Sequence, residues 1–422
     1  MTVLVAGAGI AGLTLALSLH RIGVPVRVFE AVGEIRPLGV GINLQPHAVR
    51  ELDELGLLAG LDAIGLRTRE VAYFSSHGQP VWSEPRGLTA GYDWPQFSIH
   101  RGKLQMLLLE TVRERLGPDA VACGRAVTAW RETDDGVEVD LVDRETGRGA
   151  GTVSGSLFVA ADGIHSSARA ALYPDEGLPV WGGIVMWRGV TRGPRFLTGR
   201  SMAMTGCKPR KFVCYPIEDI ELEDGAPGAV INWIADLKMA EDHLWRREDW
   251  NRPGDPADFL PRFESWTFDW LDIPAVIRAA DHIFEYPMVD RDPLPRWTHG
   301  RMTLMGDAAH PMYPIGSNGA SQAILDARVL TREILARGAV PDALAAYEAE
   351  RRPATAAIVL ANRADGPDKV LDVVEERAPE GFADIGDVLS REELEETASL
   401  YKRLAGFDVG ALNARPPIVP VR

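Results

Sequence analysis

The sequence predicts an α/β protein in which a parallel, Rossmann-type sheet is combined with a mainly antiparallel second sheet. A strand, a glycine-rich turn, a helix and another strand follow one another within residues 2–30, which is the order of a βαβ unit. Short alternating segments at 71–83 and 121–144 indicate antiparallel hairpins instead. Strand-like segments at 157–161 and 301–305 indicate a return to the parallel sheet. The two kinds of sheet therefore alternate along the chain.

Length and charge limit the classes of function. The chain has 422 residues, 46% of them hydrophobic, which is enough for two or three domain-sized units. A formal net charge of -15 makes nucleic acids and anionic membranes poor partners. The amino terminus resembles no signal peptide, and no 18-residue apolar run suggests a membrane span. Three cysteines without a CxxC pattern predict no metal site and favour a reduced, cytoplasmic location.

The pattern predicts three parts. Between residues 182 and 289 the helical period fades, apart from a polar, tryptophan-rich insertion around 239–272, and strand-like segments at 211–217 and 229–236 dominate. Residues 370–405 are helical and amphipathic in pattern. We therefore predict a discontinuous FAD- or NAD-type nucleotide-binding domain at 1–70, 98–181 and 290–365. The substrate domain is predicted at 71–97 and 182–289, and a C-terminal helical segment with a tail at 366–422.

The strongest motif is the turn Gly7-Ala8-Gly9-Ile10-Ala11-Gly12. Glycines there permit a tight turn and let backbone N–H groups approach a pyrophosphate at the start of a helix. Glu30, at the end of the second strand, is placed to accept hydrogen bonds from a ribose diol. The unit predicts a bound dinucleotide, but it does not separate NAD from FAD.

Other motifs favour FAD. Gly306-Asp307 follows a strand-like run, where a carboxylate could accept from the ribityl hydroxyls of a flavin, although Gly-Asp is also a common turn. This pair resembles the GD motif of the flavoprotein aromatic hydroxylases typified by p-hydroxybenzoate hydroxylase. Asp162-Gly163 resembles that family's DG motif, and Arg101 and Gln105 resemble its flavin-contacting arginine and the neighbouring glutamine. The resemblance covers roughly residues 1–360 and implies the p-hydroxybenzoate hydroxylase-like fold with bound FAD.

Two further stretches are expected near the flavin. The run Pro314-Ile-Gly316-Ser-Asn318-Gly319-Ala320 leads into a helix that Ser317 or Asn318 could cap, and the helix start could stabilise negative charge on reduced flavin. In the resembled family, the stretch equivalent to Gly39-Val40-Gly41-Ile42 lies against the isoalloxazine ring. His310 is interpreted as a buried or flavin-shell residue, because the family needs no base at that position.

The resemblance implies an FAD-dependent monooxygenase that uses NADH or NADPH and O2 to hydroxylate a small aromatic or heteroaromatic substrate. The segments 35–43, 186–190 and 286–295 look like the phenazine hydroxylase branch that makes pyocyanin, so a phenazine-like substrate is expected. The chemistry is centred on the flavin, and no catalytic side chain is predicted. Candidate pocket residues are Trp187, Met204, Tyr215, Trp233 and Tyr313. The protein is expected to be a monomer or a homodimer.

Two alternatives remain at this point. A flavin-dependent oxidase would not insert oxygen, although Asp162-Gly163 and Gly306-Asp307 favour the monooxygenase. A non-catalytic FAD-fold protein that binds a ligand would show no NAD(P)H oxidation stimulated by an aromatic compound. That single assay separates it from the enzyme.

Overall fold

The glycine-rich βαβ unit lies at the centre of the fold in the computed structural model, which describes residues 1–243, 252–364 and 366–420. In chain order the strands are β1 (Val3–Ala6), β2 (Val26–Glu30), β3 (Gly41–Leu44), β4 (Gly65–Thr68), β5 (Glu70–Phe74), β6 (Pro80–Pro85), β7 (Gln96–His100), β8 (Val121–Cys123), β9 (Arg125–Glu132), β10 (Val137–Asp143), β11 (Gly149–Gly155), β12 (Leu157–Ala160), β13 (Val180–Pro194), β14 (Ser201–Cys207), β15 (Arg210–Glu221), β16 (Pro227–Lys238), β17 (Thr267–Phe268), β18 (Leu271–Asp272), β19 (Ala280–Asp290), β20 (Thr298–His299) and β21 (Met302–Leu304). The helices are α1 (Ile10–Arg21), α2 (Pro46–Glu54), α3 (Leu58–Ile64), α4 (Arg101–Leu116), α5 (Ser167–Leu172), α6 (Ile273–Arg278), α7 (Gly319–Arg337), α8 (Pro341–Arg363), α9 (Lys369–Arg377), α10 (Arg391–Leu404) and α11 (Val409–Ala414).

Six strands form a largely parallel sheet in the order β20-β21-β12-β1-β2-β8. The central strand β1 is fully buried and pairs in parallel with β2 and β12, and β12 pairs in parallel with β21. Only β20, at the edge, is antiparallel to its neighbour. Helices α1 and α7 pack together through buried apolar side chains. Strands from the first 30 residues and strands near residue 300 therefore lie in one sheet.

One predicted hairpin needs a correction. Residues 121–123 form β8, which pairs in parallel with β2, so they belong to the six-stranded sheet. The antiparallel hairpin comprises β9 and β10 alone, and β11 extends it. A three-residue strand is too short to display a period, and the prediction therefore merged it with the hairpin.

The second large sheet has seven strands in the order β19-β13-β16-β15-β14-β5-β6. Its neighbours are antiparallel except for β5 and β14, which run in parallel. One face packs against a cluster of aromatic side chains from 259–270, and within the tryptophan-rich insertion residues 244–251 lie outside the described part of the chain. Strand β7 does not join this sheet but pairs with β3 and β4. The exact domain boundaries stay a prediction.

The C-terminal segment covers the other face of the seven-stranded sheet. The predicted amphipathic stretch at 370–405 forms two helices, α9 and α10, and a capping box formed by Ser390 and Glu393 begins the second. Leu371 and Val374 of α9 pack in one apolar cluster with Tyr73 and Met204 of the sheet. Across the described residues, no helix is both long enough and apolar enough to cross a membrane.

Candidate functional site

The glycine turn between β1 and α1 has two glycines that the fold requires and one that it does not. Gly7 has a φ of +99°, and a β-carbon there would lie 2.3 Å from the carbonyl oxygen of Ala161. A β-carbon on Gly12 would lie 2.0 Å from the carbonyl oxygen of Gly7. Gly9 has an ordinary φ of -76°, and its β-carbon would meet no atom of the described residues within 4 Å. The turn is therefore packed on its protein side and open at Gly9.

Two side chains hold this turn in place. The Oε2 of Glu30 accepts a hydrogen bond of 2.8 Å from the backbone N–H of Ala8, and its Oε1 accepts one of 2.9 Å from Val32. From α4, the amide of Gln105 donates to the carbonyl oxygen of Ala8 at 2.8 Å. The sequence-predicted residues Glu30 and Gln105 therefore both contact the turn.

Asp162 lies where β12 ends beside this turn. Its Oδ2 accepts from the backbone N–H of Ser167 at 3.0 Å, at the start of α5. Its Oδ1 is buried and has no hydrogen-bond partner among the described residues. Burial raises the pKa of Asp162 above its usual value, although hydrogen bonds from Ser166 and neighbouring backbone amides oppose this. An unsatisfied carboxylate oxygen at a strand end is typical of a site that a polar ligand completes.

Asp307 follows the end of β21, the strand that pairs with β12, and the space beside Gly9, Asp162 and Asp307 is called the cleft below. Its side chain is exposed, yet the surrounding protein desolvates it and raises its pKa, which His310 and Arg101 partly oppose. A carboxylate is both exposed and poorly hydrated when it lines a narrow cleft rather than the outer surface. Arg101 is also exposed, at the first turn of α4, and its backbone N–H donates to the carbonyl oxygen of Val40 at 3.0 Å.

A buried carboxylate that sequence reasoning missed braces the Asp307 turn. The Oδ2 of Asp326 accepts from the backbone N–H of Gly306 at 3.1 Å and bonds the Nε2 of His310 at 2.5 Å. Its Oδ1 accepts from the Nε of Arg351 at 2.8 Å. Burial alone would raise the pKa of Asp326, but His310 and Arg351 outweigh it and hold that pKa below its usual value. The buried position interpreted for His310 is therefore observed.

The loop before α7 has an unusual backbone and a different cap from the predicted one. Gly316 and Ser317 both have positive φ, +70° and +53°, and Pro314 is exposed to the cleft. Asn318 is the N-cap residue, but neither it nor Ser317 caps the helix through its side chain. The amide of Asn318 instead donates to the carbonyl oxygen of Gly316 at 3.2 Å and to the Oη of Tyr401 at 3.1 Å. The first-turn backbone amides of α7, which include those of Gly319 and Ala320, therefore have no side-chain cap.

The glycine pair at 39–41 contacts the seven-stranded sheet. The backbone N–H of Gly41 donates to the Oδ1 of Asn232 at 2.6 Å, and its carbonyl oxygen accepts from Arg188 at 2.9 Å. A β-carbon on Gly41 would lie 2.7 Å from Asn232 and 2.8 Å from the ring of Tyr215. Arg188 and Asn232 were missed from sequence, because only the packing of the two sheets brings them to this stretch.

The five predicted pocket residues do not lie together. Tyr215 and Met204 occupy the face of the seven-stranded sheet that meets β3 and the C-terminal segment. Trp187 and Trp233 point from the opposite face and pack against Phe259. We therefore withdraw both tryptophans as pocket residues. Successive residues of a strand alternate between faces, and composition does not tell which face meets the ligand.

Tyr313 lines a cavity of about 140 Å³ beside the loop before α7. The cavity lies between the seven-stranded sheet, the end of α8 and the C-terminal segment, and its apolar walls include Ile184, Met288 and Leu371. Its charged lining residues are Lys208, Lys211, Arg363, Asp368 and Asp372.

The Nζ of Lys211 bonds the Oδ2 of Asp368 at 2.5 Å and lies 3.7 Å from the Oδ2 of Asp236. Burial raises the pKa of Asp236 to about 6, although Lys211 opposes the shift. Sequence reasoning missed this buried charge cluster, because Asp368 lies 157 residues and Asp236 25 residues from Lys211 and no motif marks them.

The residues present fit FAD. The open face at Gly9, the unsatisfied Oδ1 of Asp162, the cleft carboxylate of Asp307 and the helix start at Gly319 supply donors and acceptors of the kinds that its pyrophosphate, ribityl chain and ring would use. Within the described residues, no group of three His, Cys, Asp or Glu side chains could hold a metal ion.

Comparison with known proteins identifies similar sequences over most of the chain. A model of the FAD binding domain family matches residues 1–185 and 287–362. The chain is 48% identical over 365 residues to the phenazine 1,6-dicarboxylic acid hydroxylase PhzS of Lysobacter antibioticus, covering 86% of this chain and 89% of that protein. It is 35% identical over 358 residues to the 3-amino-4-hydroxybenzoate 2-monooxygenase PtnB3 of Streptomyces platensis, covering 83% of each.

Solved structures resemble the whole molecule. Klebsiella pneumoniae HpxO complexed with FAD and uric acid superimposes with a TM-score of 0.74 at 24% identity, covering 99% of this chain and 97% of that one. A salicylate hydroxylase substrate complex gives a TM-score of 0.71 at 23% identity, covering 99% and 98%. At these identities the matches show the fold, and the predicted fold class is confirmed.

Proposed function

Because the chain belongs to the family of FAD-dependent aromatic hydroxylases that share this FAD binding domain, we propose that it uses NADH or NADPH and O2 to hydroxylate a planar heteroaromatic acid of the phenazine type. The enzyme class, an FAD-dependent aromatic monooxygenase, follows from the family and the relatives. The substrate, the electron donor and the residue roles are the proposal. The observation that carries it is 48% identity to a phenazine 1,6-dicarboxylic acid hydroxylase over 86% of the chain.

The residues around the cleft divide into three groups by what they would bind. The turn from Gly7 to Gly12 would hold the pyrophosphate through its backbone N–H groups, and Glu30 would bind the adenosine ribose. Arg101, Gln105, Asp162 and Asp307 would hold the ribityl chain and the phosphates. FAD, when bound, supplies hydride acceptance and oxygen activation.

The start of α7 would orient the ring and stabilise its negative charge in the reduced state. Backbone amides in the first turn of a helix have no intrahelical acceptors, and the helix dipole adds positive potential there. Gly319 and Ala320 occupy that first turn. Val40 and Gly41 would lie on the other side of the ring, where glycine permits close approach.

The cavity beside Tyr313 supports an aromatic acid as substrate. Its apolar walls suit a planar ring, and three basic lining residues stand against two acidic ones. Two of the basic residues already have acidic partners, because Lys211 bonds Asp368 near Asp236 and Arg363 bonds Asp290 and Asp292. The apolar walls are therefore the feature of the cavity that supports an aromatic ring. The carboxylate on the ring is supported by the relatives, which are named for hydroxybenzoate substrates.

The test is NAD(P)H oxidation by the purified holoprotein with and without a panel of ring compounds. We expect phenazine-1,6-dicarboxylate or phenazine-1-carboxylate to accelerate oxidation at least about tenfold, a barrier change of roughly 1.4 kcal/mol. Uncharged phenazine is the matched control, because it keeps the ring and removes the carboxylate. Product formed under 18O2 should carry one labelled atom.

Each of the other outcomes would indicate a different function or substrate preference. Equal acceleration by uncharged phenazine would contradict the carboxylate preference. Substrate oxidation with release of H2O2 and with product oxygen derived from labelled water would indicate an oxidase. Bound FAD without any ring-stimulated NAD(P)H oxidation would indicate a non-catalytic ligand-binding protein.

A further inference from the structure

The hydroxyl group of Tyr401, on α10, lies directly behind the loop that leads into α7. Its oxygen accepts from the amide of Asn318 at 3.1 Å and donates to the Oδ1 of Asn362 at 3.0 Å. The carbonyl oxygen of Ile315 is 3.4 Å away. The side chains of Tyr401, Asn318 and Asn362 are all buried. One hydroxyl thus joins three elements: the loop, the end of α8 and the C-terminal segment.

The loop conformation depends on outside support. Ser317 has a φ of +53°, which residues with a side chain seldom adopt, and the preceding Gly316 is also left-handed. A β-carbon on Gly316 would lie 2.0 Å from the Oη of Tyr401, so the ring and the loop are in direct contact. Without Tyr401, the Nδ2 of Asn318 would keep only the carbonyl oxygen of Gly316, within its own loop, as an acceptor. The Oδ1 of Asn318 would keep its long hydrogen bond of 3.4 Å from Gln322.

We infer that Tyr401 is a positioning residue for the flavin site, because it holds Asn318 and therefore the first-turn amides of α7 in place. The inference rests on the proposed position of the flavin at the start of α7. Tyr401 contacts Gly316 and Asn318 of the loop and acts through Asn318. If the amides shift, negative charge on the reduced flavin loses stabilisation, and reduction becomes less favourable.

The experiment compares two variants of the holoprotein that each lose one buried hydroxyl. Tyr401→Phe removes the contact with Asn318. Tyr92→Phe is the matched control, because Tyr92 belongs to the same apolar cluster and donates to the carbonyl oxygen of Phe407 at 2.5 Å without a contact to the loop. The readouts are the reduction potential of bound FAD, its dissociation constant and the thermal midpoint.

For Tyr401→Phe we expect a potential about 30 mV more negative, which is a tenfold change in the two-electron equilibrium, and about tenfold weaker FAD binding. Tyr92→Phe should keep the potential and affinity of the unmodified protein, even where both variants lose thermal stability. Equal shifts in both variants, or no shift in Tyr401→Phe, would overturn the inference. If the unmodified protein binds no FAD, the proposed function fails instead.

Hydrogen exchange of the unmodified protein gives a second readout that needs no variant. Addition of FAD to the apoprotein should slow exchange of the backbone amides of α10, because the loop and Tyr401 become ordered together. Helix α3, in which only Leu61 is buried, serves as an internal reference. Unchanged exchange in α10 would contradict the inference even if Tyr401→Phe failed to fold.

Discussion

Asp307 shows that a side chain can be open to solvent and still be poorly solvated. It is exposed, but the surrounding protein removes enough water to raise its pKa, and His310 and Arg101 oppose this rise only in part. A carboxylate in that position binds hydroxyl groups of a ligand more strongly than one on an open surface, since fewer water molecules compete.

We predict that Asp307→Ala weakens FAD binding by about 10- to 100-fold, which corresponds to the roughly 1.5–3 kcal/mol of a hydrogen bond to a charged group. The apoprotein should unfold as before, because no core volume is lost. Fluorescence titration of the apoprotein with FAD measures the affinity. Asp175→Ala, at an exposed position away from the cleft, is the control and should bind FAD normally. Unchanged FAD affinity in Asp307→Ala would mean that Asp307 is only a turn residue and does not bind FAD.

His47 is the buried histidine from which we expect a pH effect on stability. Burial, assisted by Arg415 and Arg351, lowers its pKa to about 3, and its ring stacks on Phe407 at 5.2 Å. The folded protein therefore keeps His47 neutral while the unfolded chain takes up a proton below about pH 6.5. Its contribution to stability is complete above that pH and declines as the pH falls toward 3.

Between pH 7 and pH 5 the unmodified protein should lose about 2 kcal/mol of unfolding free energy through His47, at 1.36 kcal/mol per pH unit below 6.5. His47→Leu should lack that loss, whatever its stability at pH 7. Denaturant unfolding at the two pH values measures it. His20→Leu, at an exposed site, should retain the full pH dependence. Equal slopes for His47→Leu and the unmodified protein would refute the assignment.

At the scale of elements, the sequence predicted the features that depend on residues close together in the chain. The βαβ unit was predictable because the strand, the glycine turn, the helix and Glu30 are adjacent in sequence, and the order of a parallel crossover leaves few alternatives. The face on which Trp187 and Trp233 lie was not predictable, because both faces of a central strand are apolar. The amide partner of Asn318 was missed because Tyr401 is 83 residues away.

The glycine turn yields a prediction that separates folding from binding. Gly12→Ala should destabilise the apoprotein, since its β-carbon would overlap the carbonyl oxygen of Gly7. Gly9→Ala should leave the apoprotein as stable as the unmodified chain, since its φ of -76° suits alanine and its β-carbon meets no protein atom within 4 Å. The same β-carbon would occupy the space of the pyrophosphate, so FAD binding should fall by at least about tenfold, or 1.4 kcal/mol.

Thermal unfolding of the two apoproteins and FAD titration provide the measurements. If Gly9→Ala bound FAD with unchanged affinity, the open face of the turn would not be the pyrophosphate site.

At the scale of the whole molecule, the C-terminal segment is part of the core. Its amphipathic pattern predicted that its helices would cover an apolar surface, but not which one. In the structure, Leu371 and Val374 complete an apolar cluster with the seven-stranded sheet, and Lys211 links the sheet to Asp368 of the segment. Contacts between distant parts of a chain leave no local signal.

Leu371→Ala should therefore lower the free energy of unfolding by about 2–5 kcal/mol, because Leu371 is fully buried between the segment and the sheet. Leu400→Ala, on α10 of the same segment, should change it by less than about 0.5 kcal/mol, since Leu400 is 60% exposed. Denaturant unfolding of both variants tests this. A small effect of Leu371→Ala would mean that the segment packs only loosely on the sheet.

The position of β21 determines when this protein can first bind its cofactor during synthesis. The glycine turn is made within the first dozen residues, whereas Asp307 and the start of α7 follow about 300 residues later. Until then β12 lacks its neighbour β21, and the apolar side of α1 lacks α7. The nascent chain must therefore keep its first βαβ unit soluble while the seven-stranded sheet is made. If FAD is held as proposed, it can be bound fully only by a chain synthesised past the start of α7, and a chain released earlier would lack Asp307 and that helix.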